Sequence, residues 1–386
     1  MAQPTSPPSY PPSPSPTFAT PLPQSPRSSI LEYRFPSSSS CSNLVLLGKS
    51  RAAWHTSFVI PQLNLLLDAG LCINHLRPKH VFLTHGHNDH TAMSTAFVKR
   101  ENNPDFYCPK EMTGVFDGFI LANTLLNLGG EVGVDDEEFE MVDGRGEEDG
   151  VEGGGSDSPG SSGGKDKETG DWEEGKTKNK DKRHPLLNTH HTHGLSPGDV
   201  VELPRLPAIT ATAFKCDHSV PCLGYVFSRV SQRLKPEFQG LPGKEIARLR
   251  KEVNMHTNGN SNPGKNSNSN NTFTLTESHS TPLFAFLGDT TASTLAAEPE
   301  WLRNEIPVVI TECSFLYEEH RPQAQKTKHT LWSDLEPVVR KFAHTKFVVT
   351  HFSLRYSEQE IRDFFRGLKG GCLQNLVVWV DGGGEL

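Results

Sequence analysis

Apolar residues in this chain come in short runs closed by turn formers, and the runs begin only near Asn43. "NLVLLG", "TSFVIP" and "LNLLLDAG" predict successive strands, each broken by Gly, Pro or Asp. "HVFLTH" predicts another, and it runs directly into a cluster of His and Asp. The period then changes. "AMSTAFVKR" and "EMTGVFDGFILANTLLNL" space their apolar residues at i, i+3 and i+4, which predicts helices. Farther on, "DVVELPRLPAITATAFKC", "LGYVFSRV", "PLFAFLGD", "IPVVITEC", "KFVVTHF" and "NLVVWV" predict strands. "PGKEIARLRKEV", "LWSDLEPVVRKFA" and "SEQEIRDFFRGL" predict helices between them. Strands in runs, punctuated by helices, imply an α/β protein of two sheets flanked by helices. No repeat at a fixed period is visible.

Three stretches fall outside this patterning. Residues 1–40 are mostly Pro and Ser and cannot bury enough surface to offset their ordering entropy, which predicts disorder. The same segment is acid-poor and carries Arg27 and Arg34, so an organellar transit peptide is the alternative. Residues 129–197 form an acidic, Gly-rich insert, and residues 254–273 a second, Asn/Ser-rich one. A single catalytic domain is therefore expected over 41–386, interrupted twice. The apolar share of 34 % agrees, since a wholly globular domain carries about 45–50 %.

The net charge of −8 argues against a nucleic-acid partner until its location is considered. Residues 131–183 hold 18 acidic and 8 basic side chains, which leaves 28 acidic and 30 basic elsewhere. The acidity belongs to one insert, and an RNA substrate stays open. The seven cysteines (41, 72, 108, 216, 222, 313 and 372) are scattered and form no CxxC pair, which points to reduced thiols in an intracellular protein. No run reaches the roughly 18 apolar residues of a membrane helix.

The candidate chemistry centres on "LTHGHNDHTA". His85, His87, Asp89 and His90 place three imidazoles and a carboxylate in one loop at a strand end, a donor set suited to Zn²⁺. Alternate residues of an extended segment point the same way, so His85 and His87 can share a cation. Two cations need more ligands than one loop supplies. His218 in "FKCDHSVPCLGY", Asp289 in "FAFLGDTT" and His351 in "FVVTHFSLRY" each follow an apolar run and could reach the same rim.

An HxHxDH motif followed by a His, an Asp in "GDT" and a final His resembles the metallo-β-lactamase superfamily, which implies its αββα sandwich. "GDTT" at 288–291, "ECSF" at 312–315 and "HFSLRY" at 351–356 resemble the short form of ribonuclease Z found in plants, a tRNA 3′-processing endoribonuclease. The resemblance runs from about residue 43 to 380, apart from the two inserts. It implies that His85, His87 and His218 hold one Zn²⁺ and that Asp89, His90 and His351 hold the other, with Asp289 bridging; Mn²⁺ is an alternative metal. It further implies that Asp89 takes up the proton of the attacking water. Glu312 and His329 would form the pair that protonates the leaving oxygen, although Thr311 and Thr330 depart from the family's usual spelling there. A precursor tRNA substrate, a homodimer and no membrane association are also implied.

Contacts to RNA are expected from Arg229, Arg233, Lys235, Lys244, Arg248, Arg250 and Lys251, and from Arg355 beside Ser353. A solvated helix face explains the first seven nearly as well, and simple packing explains Ser353 and Arg355. The acidic insert is a poor RNA-gripping arm, because it would repel phosphate. The His190–His191–Thr192–His193 tract reads as a solvated loop rather than a metal site, and His55, His75, His80, His320 and His344 as structural or exposed. Two other readings share the metal ligands: a hydrolase of a small ester, thioester or phosphodiester, and a non-catalytic binding protein. Cytoplasm or nucleus is the expected compartment, with an organelle as the alternative.

Overall fold

The computed structural model describes residues 17–21, 30–37, 41–73, 77–129, 184–258, 274–368 and 373–381. The first strands are β1 (Thr17–Pro21), β2 (Leu31–Arg34), β3 (Val45–Arg51), β4 (His55–Ile60), β5 (Leu65–Leu67), β6 (His80–Phe82), β7 (Asp105–Pro109) and β8 (His191–Leu195). The later ones are β9 (Val200–Leu203), β10 (Leu206–Lys215), β11 (Leu223–Leu234), β12 (Thr276–Phe286), β13 (Val308–Glu312), β14 (Lys346–Thr350) and β15 (Leu376–Asp381). The helices are α1 (Asn88–Thr91), α2 (Thr113–Asn127), α3 (Gly243–Asn258), α4 (Ser293–Ala296), α5 (Glu300–Arg303), α6 (Arg321–Thr327), α7 (Trp332–Lys341) and α8 (Glu358–Arg366).

Two mixed sheets of seven strands, β2–β8 and β9–β15, are joined through the short β1. That strand pairs in parallel with β15 and antiparallel with β2. The inner faces of the two sheets pack on each other. Phe58 meets Trp379 with centroids 5.1 Å apart, and Phe82 meets Phe227 at 4.9 Å. Helix α2 covers the outer face of one sheet through Phe116, Ile120 and Leu121. Helices α7 and α8 cover the outer face of the other through Trp332, Leu335, Ile361 and Phe365.

This four-layer arrangement explains the unbroken apolar runs. In β4, Phe58 and Ile60 face the inner core while Val59 faces the helix layer. In β14, Val348 faces inward while Phe347 and Val349 face the helices. A strand buried on both faces has no polar side to show. Removing one such ring, as in Phe58→Ala, is expected to cost about 3–5 kcal/mol. Helix α8 starts where Ser357 Oγ accepts from Glu360 N (3.1 Å), an N-cap written locally as "SEQE".

Several boundaries differ from expectation. Structured chain begins before residue 41, because Leu31, Tyr33 and Phe35 of "ILEYRF" alternate toward the inner core while Ile30 packs on the helix side. Of the expected first insert, residues 184–197 are structured, and β8 extends the sheet by pairing with β7. Helix α3 runs on to Asn258, past the expected start of the second insert. "AMSTAFVKR" holds only a short 3-10 turn over Ser94–Ala96. Its neighbouring backbone is held by another loop, with Met93 N donating to Ala69 O (2.8 Å) and Ala69 N to His90 O (2.6 Å). Expectations for 1–16, 22–29, 130–183 and 259–273, and for His75 and Cys372, lie outside the described residues.

Candidate metal centre

Chain direction brings the chemistry to one rim. Strands β12, β13 and β14 are parallel and in register, so their C-terminal ends lie side by side. Asp289, Glu312 and His351 stand at those three ends. Strand β10 lies two antiparallel pairings from β12 and therefore runs the same way, delivering His218 to the same rim. The 85–90 loop leaves β6 opposite them. It is tied across the sandwich by Leu223 N donating to Thr84 O (2.9 Å) and Tyr225 Oη to Leu83 O (2.7 Å). The loops touch at Gly288, where a Cβ would lie 2.5 Å from the Thr84 side chain. Only glycine allows that approach.

Each histidine is oriented by what its outer nitrogen touches. His90 Nδ1 donates to Asp68 Oδ2 (2.7 Å), and His218 Nδ1 donates to Lys328 O (3.1 Å). His85 Nδ1 lies 3.0 Å from Thr84 Oγ1, which itself donates to Asp68 Oδ2 (2.9 Å). Ser314 Oγ donates to Glu312 Oε2 (2.6 Å) and so accepts from His351 Nδ1 (3.0 Å). These partners engage Nδ1 as a donor in all four rings and turn Nε2 inward.

The inward atoms converge in two groups. His87 Nδ1 lies 3.0 Å from His85 Nε2 and 3.2 Å from His218 Nε2. Asp289 Oδ2 is 3.7 Å from His85 Nε2. On the other side, His351 Nε2 lies 3.4 Å from His90 Nε2 and 3.3 Å from Asp89 Oδ2. Ligands about 2.0–2.1 Å from a tetrahedral cation are separated by roughly 3.3 Å, so these spacings match the edges of two coordination shells. Asp289 belongs to both groups. Its Oδ1 is buried with no hydrogen-bond partner, yet His90 Nε2 and His351 Nε2 lie 3.3 and 3.4 Å away. The donor chemistry fits two divalent cations.

Electrostatics agree. Burial pushes His85 well down, keeping its ring neutral as a ligand must be. Burial acts to lower His90 too, but the Asp289 and Asp68 carboxylates raise it well above the ordinary value. Burial would raise Asp289, and the charges of His351 and His90 instead hold it well below the usual carboxylate range. A cation must displace the His90 proton, so metal affinity falls in acid. The centre also stores backbone strain. Asp68 (φ 55°) and His351 (φ 62°) both occupy the left-handed region without being glycine.

Glu312 and His329 lie beside this centre. His329 Nδ1 donates to Glu312 Oε1 at 2.8 Å, and its ring centroid is 5.5 Å from that of His351. Glu312 is fully enclosed and also accepts from Thr290 N (2.7 Å) and Thr330 N (3.2 Å). Burial opposes charge on His329, yet the Glu312 carboxylate raises it to about 9. The ring is thus protonated at neutral pH.

Some candidates lie elsewhere. Arg229, Arg233, Lys235, Lys244, Arg248, Arg250 and Lys251 occupy the outer half of the β11–β12 hairpin and helix α3. Strand β11 starts at the metal rim and runs away from it, so Arg229 and Arg233 stand roughly 20 and 33 Å along it from that rim. Arg355 stays near, on the loop after His351, with its guanidinium 5.1 Å from the centre of the Phe315 ring. Sequence reasoning missed Asp68 and Ser314. An acid ending the apolar run "LLLDAG" and the Ser of "ECSF" were the available signals.

Residues 73–203 match the family model described as Metallo-beta-lactamase superfamily. The fold is that of the metallo-beta-lactamase superfamily. Within it, the chain resembles ribonuclease Z. It is 27% identical over 208 residues to the chloroplastic tRNase Z TRZ2 of Arabidopsis thaliana, covering 51% of this chain and 53% of the relative. It is 30% identical over 155 residues to tRNase Z TRZ1 of the same plant, covering 39% and 48%. The chain thus spans about half the length of these curated relatives. The solved short form of human tRNase Z aligns over 95% of each chain at 14% identity, with a TM-score of 0.39. No helix among the described residues is long and apolar enough to cross a membrane.

Proposed function

We propose that this protein is a metal-dependent endoribonuclease that removes 3′ trailers from precursor tRNA, using two Zn²⁺ per subunit in an intracellular homodimer. The observation that carries the reading is the Glu312–His329 pair, 2.8 Å apart beside a double His/Asp centre. A two-cation centre alone suits many hydrolyses. A protonated imidazole next to it adds what a poor alkoxide leaving group requires.

His85, His87 and His218 would hold one cation, Asp89, His90 and His351 the other, with Asp289 shared. When bound, such a pair supplies Lewis acidity that activates water and offsets charge on a phosphate. Asp89 Oδ2, on the exposed side of the centre, accepts the proton of the attacking water. His329 holds its proton on Nε2, since Nδ1 is engaged by Glu312, and delivers it to the departing 3′ oxygen. Glu312 orients the ring and balances its charge. The product is a tRNA body ending in a 3′-hydroxyl. Arg355 contacts phosphate near the cut, while the basic β11–β12 hairpin and α3 grip the tRNA body at a distance.

Purified protein loaded with Zn²⁺ or Mn²⁺ should cut a precursor tRNA after the discriminator base. His329→Ala should keep both metals and lose roughly 10²–10⁴-fold in kcat, the usual size of a general-acid contribution. Hydrolysis of small diesters with an uncut precursor would replace this reading by that of a small-substrate hydrolase. Failure to bind any metal would leave a non-catalytic binding protein.

A further inference from the structure

Trp54 stands at the tip of the β3–β4 hairpin with 58% of its surface exposed. Packing does not account for an indole placed there. Its ring lies 4.5 Å from that of His55, and Lys49 Nζ stands 5.1 Å from its centre. The turn that carries it is firmly held. Ala52 N donates to Phe352 O (3.2 Å), and Arg51 Nη2 donates to Ser353 O (3.1 Å) and Tyr356 O (2.6 Å). The hairpin tip is thereby clamped to the loop that begins at His351. Ala53 takes a left-handed conformation (φ 58°), a strain the turn accepts in order to present Trp54.

The location is what matters. Thr56, two residues on, lines a small cavity together with His90, Asp289, Glu312 and His351. His55 lies between Thr56 and Trp54, buried, and feels the charges of Asp89 and His351. The indole therefore stands on a hairpin tip fastened to the loop that follows His351, a candidate ligand. Lys49 adds a flexible cation at the same place.

Resting on the reading of the centre as an endoribonuclease site, we propose that Trp54 and Lys49 form a stacking platform for the base of a nucleotide flanking the scissile phosphate. An exposed aromatic face stacks any base, because every base has a π-face. The Lys49 ammonium can leave the ring to the base and stay against a neighbouring phosphate. Recognition of this kind holds a single-stranded end in place without reading its sequence, which suits trailers of differing sequence.

The test compares wild type with Trp54→Ala and Trp54→Phe, all metal-loaded, on a precursor tRNA and on two versions carrying an abasic nucleotide on one or the other side of the cut. Trp54→Ala should lower kcat/KM on the intact precursor roughly 5- to 150-fold, the range for stacking one base. Trp54→Phe should recover most of it. One abasic substrate should show a similar loss with wild type and no further loss with Trp54→Ala. Independent losses that multiply, or no loss with Trp54→Ala, overturn the platform. So does a Trp54→Ala effect confined to self-association, which would make the indole an interface between copies. Tryptophan emission separates this outcome from failure of the functional reading. Single-stranded oligoadenylate should shield wild type from acrylamide quenching and give Trp54→Phe no such protection. Shielding without cleavage keeps the platform and sinks the nuclease; cleavage without shielding does the reverse.

Discussion

Two stretches of this chain are dense in histidine, and only one has the makings of a metal centre. In the 85–90 loop, His85, His87 and His90 each turn a ring nitrogen inward, and the outer nitrogens of His85 and His90 rest on Thr84 and Asp68. In the 190–193 tract, β8 sends successive side chains to opposite faces. His190 Nε2 lies 3.0 Å from Asp117 Oδ1, and Thr192 Oγ1 donates to the same oxygen at 2.6 Å. His193 turns the other way, 2.9 Å from Asp105 Oδ1, and stacks on Tyr107. The first stretch gathers its ring nitrogens toward common partners; the second disperses its rings among separate carboxylates. Histidine density is therefore a weak sign, and convergence of ring nitrogens is the strong one.

The comparison breaks most sharply at Asp289. Asp289→Asn removes the carboxylate common to both ligand groups, so metal analysis should find less than half the wild-type content and activity should fall at least 10³-fold. Full metal content would show that the two groups do not depend on that shared carboxylate. A smaller effect is expected at the neighbouring pair. With its pKa raised to about 9, His329 in the metal-free protein should titrate near that value by NMR, and Glu312→Gln should return it toward 6.5. The sign follows from linkage. A raised folded pKa stabilises fully below the unfolded value near 6.5, and the contribution is lost as pH rises through about 9. A titration unmoved by Glu312→Gln would mean that another charge protonates His329.

Asp68 tests the outer layer of the centre. Asp68→Asn should weaken metal binding about 10- to 100-fold, because the acceptor that orients His90 is lost. Equal affinity would reduce Asp68 to packing. The smallest effect is expected in the second stretch. His190→Ala should leave metal content unchanged and cost about 1–3 kcal/mol of stability through loss of its hydrogen bonds to Thr189 and Asp117. Lower metal content there would erase the distinction between the two stretches.

Much of the centre is legible in the sequence. His85, His87, Asp89 and His90 are neighbours in sequence, and His218, Asp289 and His351 each follow an apolar run that had to be a strand. Asp68 and Ser314 were not legible, because their importance lies in what they touch across the sandwich. Strands β1 and β2 were hidden in Pro/Ser-rich text, where composition outweighed the short alternation of "ILEYRF". The 190–193 tract looked like loop because Gly-rich text precedes it, whereas edge pairing to β7 makes it a strand.

Local order along the chain determined which segments are strands and helices and which side chains end them, because burial on both faces leaves continuous apolar runs and ligands sit where such runs stop. Only the tertiary structure decided that seven of those side chains meet. Parallel pairing of β12, β13 and β14 aligns their ends, and the close approach at Gly288 brings the opposite sheet's loop against them. Convergence depends on contacts between residues more than two hundred positions apart, and no local pattern carries that information.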